Sequence, residues 1–186
     1  FEARQEGKQF KSPLNYHAGT TSQLDQRKKL SSAFFIYLLQ IPKWKNSYYE
    51  FSISPIYKIN SHLNLSLNTS FGYGNNEYGY NFTKSDGSFG KRNTQTLNNS
   101  IYIAINFTPK NNLTFGARHY WSKIWYDSFY KLNENGSLNV DSEYKQNADL
   151  SQNYFNLDCI YTWEFAPGSF LNLIWKNNLN HYQESN

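Results

Sequence analysis

An all-β chain, an antiparallel up-and-down meander of about eight strands, is what this sequence predicts, and three observations lead there. The first is composition. The chain has 186 residues, enough for one domain, and 19 % of them are aromatic, with 16 Tyr, 14 Phe and 5 Trp. Asn is abundant and Ala scarce, a mix that suits strands and opposes helices. The second is period-two alternation. In "HLNLSLNTSFGY" (62–73), Leu63, Leu65, Leu67, Thr69, Phe71 and Tyr73 point one way, and Asn64, Ser66, Asn68, Ser70 and Gly72 the other. The third is turn chemistry at regular intervals, as in "YKINSH" (57–62), "TPKNN" (108–112) and "FAPGS" (165–169).

Strands are expected at 13–22, 29–40, 46–58, 62–83, 93–108, 112–126, 153–165 and 169–178. The basic cluster "QRKK" (26–29) reads as a turn between the first two, and "KRN" (91–93) as a second turn or loop. In the fourth segment "GYGNNEYGY" (72–80) has two readings, a hairpin around Asn75 and Asn76 or one long strand. One strand keeps the short turns together, and a bulge at the glycines of 72–74 would bring Tyr78, Tyr80 and Phe82 into phase with Phe71 and Tyr73. In 93–108, Ile101, Ile103, Ile105 and Phe107 oppose Asn98, Ser100, Tyr102, Ala104 and Asn106. In 112–126, Leu113, Phe115, Ala117, His119 and Trp121 oppose Thr114, Gly116, Arg118 and Tyr120. In 153–165, Phe155, Leu157, Cys159, Tyr161, Trp163 and Phe165 oppose Asn156, Asp158, Ile160, Thr162 and Glu164. The last strand sets Leu171, Leu173 and Trp175 against Phe170, Asn172 and Ile174.

Alternate connections of a meander lie at the same end. The turns 57–62, 108–112 and 165–169 therefore fall together, and the polar stretches 83–91 and 128–152 fall opposite. Short turns at one end and long loops at the other are the layout of an outer-membrane β-barrel. Tyr57, Phe107, Trp163 and Phe165 sit on the apolar face beside the short turns, where an interfacial girdle belongs, and Trp175 flanks the last hairpin with Trp163. The other face is rich in Asn, Ser and Thr and lacks the dense Lys/Glu coat of a soluble sheet. The same alternation also fits a soluble carbohydrate-binding β-sandwich with a neutral outer face, and that alternative stays open.

Other classes are excluded more sharply. The longest apolar run, "AFFIYLL" (33–39), is far shorter than the ~18–20 residues of a membrane helix, and mean hydropathy is −0.75. Net charge is +4 but scattered, so nucleic acid is not an expected partner. A single Cys159 permits no internal disulfide framework and suits a buried, inert thiol. His17, His62, His119 and His181 lie on different segments without metal-ligand spacing. No nucleophile elbow, P-loop or dinucleotide fingerprint occurs. A hydrolase would need Ser100 or Ser122 near His119, and the alternation turns His119 to the opposite face. The numerous Asn-x-Ser/Thr triplets follow from a face rich in those residues. No cofactor, metal or catalytic residue is expected, and the protein is read as non-enzymatic.

The segment "YFNLDCIYTWEFAPGSFLNLIWKN" (154–177) resembles the C-terminal barrel region of a Bacteroidota outer-membrane family of largely unassigned function. "SQLDQRKKLS" (22–31), "YKINSHLNLSLNTSF" (57–71) and "TQTLNNSIYIAINFTPKNNLTFGARHYW" (94–121) look similar too, so the resemblance covers roughly 12–178. It implies a transmembrane barrel in the bacterial outer membrane. Members of that family join an N-terminal carbohydrate-binding-like domain of the family-9 type to the barrel. Such a domain is not expected within these residues, and the chain reads as a piece of a longer one.

The expected function is thus a pore, scaffold or subunit of an envelope complex. The lumen-facing polar candidates are Glu50, Asn64, Asn68, Asn106, Arg118, Asp158 and Glu164, with Arg118 and Asp158 close enough in strand order to pair. Tyr130, Asn133, Asn135, Asp141 and Tyr144 of the long loop are candidates for contact with a glycan or partner protein. Outer-membrane lipid, lipopolysaccharide and other outer-membrane or surface proteins are the expected partners.

Overall fold

The computed structural model describes residues 9–81, 88–143 and 147–184. Nine strands are present: β1 (Tyr16–Gln23), β2 (Leu30–Ile41), β3 (Asn46–Lys58), β4 (Leu63–Tyr80), β5 (Phe89–Thr108), β6 (Asn111–Leu132), β7 (Leu138–Val140), β8 (Leu150–Ala166) and β9 (Ser169–Glu184). A 3-10 turn, Pro42–Trp44, is the one helical element among the described residues. All pair antiparallel in one sheet of order β1-β2-β3-β4-β5-β6-β8-β9, with β7 folded back onto β6. The fold is therefore the expected meander. The sheet is open, with β1 and β9 as its two edges.

Four connections lie at one end: 24–29, 59–62, 109–110 and 167–168. Local chemistry closes three of them. Asp25 accepts hydrogen bonds from the Arg27 backbone and guanidinium at 3.0 Å, and these hold its carboxyl below the usual aspartate range. Asn60 Oδ1 accepts the amides of His62 and Leu63. Gly168 takes φ +74 after Pro167, where only glycine is unstrained. At the other end lie 42–45, Asn81 and Ser88, and 133–143.

β4 is one long strand, as the short-turn grouping requires. Its bulge falls between Gly74 and Glu77 rather than at 72–74. The extra residue is Asn76 at φ 53, its amide donated to Asn93 Oδ1 and its side chain to the Lys45 carbonyl. Asn tolerates this left-handed geometry better than most residues. Beyond the bulge the phase is repaired: Tyr78 and Tyr80 pair with Lys91 and Phe89, which share a face with Gln95 and Leu97 opposite Tyr73 and Phe71. Phe82 lies outside the described residues.

Three expectations are corrected. "KRN" is not a turn; Lys91, Arg92 and Asn93 are inside β5, whose pairing starts at Phe89. β6 runs on to Leu132 and β9 to Glu184, past the expected ends at 126 and 178. The loop 128–152 contains β7, reached by a reversal in which Gly136, at φ +83, donates its amide to the Asn133 carbonyl.

The register sorts the two faces. One apolar row runs Tyr57, Leu65, Ile103, Phe115, Cys159, Trp175 across six strands, and the next runs Leu67, Ile101, Ala117, Leu157. The apolar stretch occupies 49–57, 63–73, 97–107, 113–121 and 155–165 of successive long strands, nine to eleven residues each. No layer covers it. Among the described residues only Phe89, Leu132 and Ala148 are buried apolar groups. The accessible surface is 12169 Å², against about 9,300 Å² for a compact monomer of this mass.

The buried apolar contacts gather beyond this band, at the long-loop end. Trp44 packs on Tyr78 with ring centroids 4.6 Å apart, Tyr78 on Tyr130 at 5.3 Å, and Phe10 on Phe89 at 4.8 Å. The segment 9–15 leads from β1 across to the β6–β7 reversal, where the Lys11 amide donates to the Gly136 carbonyl at 3.0 Å.

Candidate functional site

The polar face carries the charged groups that sequence reasoning singled out, and the register brings only some of them together. Gly116, Asp158 and Lys176 form one cross-strand row; Ser100, Arg118, Asn156 and Asn178 form the next. Arg118 Nη2 donates to Asp158 Oδ2 at 2.5 Å, so the expected pair forms. The arginine side chain is 61 % exposed and the aspartate 22 %. Two partners join them that were not candidates. Lys176 lies inside the expected strand 169–178, one step past the alternation Phe170, Asn172, Ile174 on the same face, but was not singled out as a site residue. Gly116 supplies an absence: above it opens a hollow of ≈ 340 Å³, lined also by Ser100, Tyr102 and Thr114. A Cβ on Gly116 would meet nothing closer than 3.9 Å, so the space is open floor rather than a packing necessity. Ile160 gives the hollow an apolar margin.

Asn68 and Glu50 belong to the same face but to other contacts. Asn68 Nδ2 donates to Ser54 Oγ at 2.6 Å across the β3–β4 pair. The Tyr48 hydroxyl donates to Glu50 Oε2 at 3.2 Å. That hydroxyl lies over Gly72, where a Cβ would approach it to 2.8 Å. Glu77, accepting from the Thr94 hydroxyl, joins this second polar group. The sequence hid it because the bulge at Asn76 reverses its phase. Asn64 faces Lys58 and Ala104 in the ladder.

Asn106 and Glu164 are local instead. The Asn106 carbonyl contacts His62 Nδ1 at 2.9 Å, and Glu164 Oε1 accepts the Gly168 amide at 3.0 Å, so the carboxylate caps the β8–β9 turn. Trp163 and Phe165 meet edge to face at 5.9 Å, and both are exposed with Tyr57 and Phe107 near the short-turn end. Trp175, opposite Cys159 in the Tyr57 row, shares this face but stands four residues further from the β8–β9 turn than the Trp163 partner Leu171.

The long-loop candidates divide. Tyr130 is in β6 and packed into the aromatic cluster. Asn133 and Asn135 hold the reversal through Ser137. Asp141 is 7 % exposed, ion-paired to Lys131 at 3.5 Å. Each of these side chains makes contacts within its own part of the fold. Tyr144 lies outside the described residues. His119 bonds Asn153 at 2.9 Å on the apolar face, while Ser100 and Ser122 point to the other face, so the serine–histidine contact a hydrolase needs is not made.

These features define an antiparallel β meander with one lipophilic and one hydrogen-bonding face, the second carrying Glu50, Glu77, Arg118, Asp158 and Lys176. A family model described as "Domain of unknown function (DUF5916)" matches residues 1–186, and the chain belongs to that family. No curated protein and no solved structure matches it.

Proposed function

We propose that this chain forms wall of a transmembrane β-barrel in the bacterial outer membrane, a non-enzymatic pore, scaffold or envelope-complex subunit. The observation behind the reading is the uncovered apolar band. Nine to eleven residues per strand is the length a tilted β-strand needs to cross the hydrocarbon core, and the band keeps that length across five neighbouring strands. Water would leave Ile101, Phe51, Leu173 and Trp175, each more than two-fifths exposed, without a partner. Lipid accommodates all of them, and the exposed aromatics by the short turns then reach headgroup level. Lipid and lipopolysaccharide are the immediate partners in this reading. The edges β1 and β9 need joining, directly or through further strands, because an unpaired backbone edge in hydrocarbon costs several kcal/mol per group.

The test is physical. The protein is expected to stay in the membrane pellet through high salt and to migrate differently in SDS gels before and after boiling. Recovery as a monodisperse monomer in detergent-free buffer would overturn the assignment, and glycan binding by that soluble form would favour a carbohydrate-binding sheet.

A further inference from the structure

We propose that the hollow over Gly116 binds a small oxyanion, a carboxylate- or phosphate-bearing solute, held between Arg118 and Lys176. The inference rests on the reading of this face as a lumen only for how a solute arrives; the hollow itself is a property of the sheet. Its size, ≈ 340 Å³, falls within the range of small-ligand sites, roughly 300–1,000 Å³.

Charge selects the ligand class. Asp158 is the one carboxylate lining the hollow, and Arg118 already neutralises it at 2.5 Å. That contact uses one guanidinium nitrogen and fixes the group by one edge. Its remaining N–H donors have no protein partner among the described residues. Lys176, across the ladder from Asp158, is exposed and makes no ion pair or hydrogen bond among the described residues. Two cations against one committed carboxylate leave a local charge of +1. A metal cation would meet a carboxylate already taken; an anion would meet free donors. Planar guanidinium donors and a mobile ammonium are the usual recognition pair for carboxylate and phosphate oxygens. The hydroxyls of Ser100, Tyr102 and Thr114 line the same space and add further donors. A neutral sugar would use those hydroxyls but would not need the excess of positive charge.

The absent side chain at Gly116 supplies the control. A valine there has ordinary strand geometry and room for its Cβ, and its methyl groups occupy the floor of the hollow. The experiment titrates the full chain, refolded in detergent micelles at constant ionic strength, with inorganic phosphate and separately with succinate, followed by calorimetry. Saturable binding of either anion is expected, weakened about tenfold or more in Lys176→Gln through loss of one charge-assisted contact, and abolished in Gly116→Val. Absence of saturable binding of both anions, or binding that survives Gly116→Val, would overturn the site. Heat-modifiable migration of each variant separates the two ideas. A protein that remains heat-modifiable yet binds neither anion loses this inference alone. Binding by a protein that proves soluble keeps the site and discards the membrane.

Discussion

Ile101 separates a lipid-facing strand from a water-facing one. It is 41 % exposed, in mid-band, between Leu67 on β4 and Ala117 on β6. On a soluble sheet a residue that open tolerates arginine within about 0.5 kcal/mol. At the midplane of a bilayer the same change costs about 2–4 kcal/mol, a factor of roughly 30 to 1,000 in the folding equilibrium at 1.36 kcal/mol per decade. Asn98, three residues earlier in β5, faces the other way and gives only a 3.3 Å hydrogen bond to Ser70. Asn98→Arg should cost about 1 kcal/mol or less, the net worth of such a bond. The comparison uses urea unfolding of protein refolded into phospholipid vesicles, read by tryptophan fluorescence. Phe107→Arg, close to the short-turn end, should cost much less than Ile101→Arg, about 0–1 kcal/mol for its near-interface depth. Equal and small effects at Ile101 and Asn98 would refute the assignment of the apolar face to lipid.

Other consequences are local. Gly90 lies beneath the Tyr126 ring, which a Cβ would strike, so Gly90→Ala should destabilise by about 1–3 kcal/mol, and Tyr126→Ala in the same chain should relieve most of that loss in a double-mutant cycle. Gly136→Ala combines φ +83 with a clash against the Gln9 carbonyl; it should free the 9–15 segment, seen as faster proteolysis there with the band intact, and an unchanged cleavage rate would remove that segment's dependence on the reversal. The Asp25 carboxyl should titrate below the usual aspartate range by NMR, because the ionised form alone accepts both Arg27 bonds. Its pKa is depressed on folding, so the contact contributes fully above the unfolded aspartate value and is lost as pH falls through the lowered one. Arg27→Ala should return the titration toward the ordinary value.

The meander was legible because three signals agreed. Alternation fixed the faces of β4, β5, β6 and β8, turn residues fixed the short end, and β3 was placed residue for residue at 46–58. What escaped detection has physical causes. Polar residues fill the far halves of β5, β6 and β9, where the strands leave the apolar band and alternation no longer reports a buried or lipid-facing side. Composition there resembles a loop, and only pairing with a neighbour makes it strand. Asn135-Gly136 was a readable reversal signal that the polar context masked. At the site, alternation found Arg118 and Asp158, but Gly116 and Lys176 are informative only once adjacent strands are in register. Glu77 required knowing where the bulge fell.

β5 and β6 continue for about 26 Å and 36 Å past the apolar band, at ~3.3 Å per residue, zipped side by side and wedged by Trp44, Tyr78, Tyr130 and Phe10. The β5–β6 extension is thus a stiff ridge. Its conformational entropy is surrendered when the protein folds, not when something docks. A molecule that binds the flank of that ridge pays little for ordering it, so contact area there converts to affinity more efficiently than on a mobile loop.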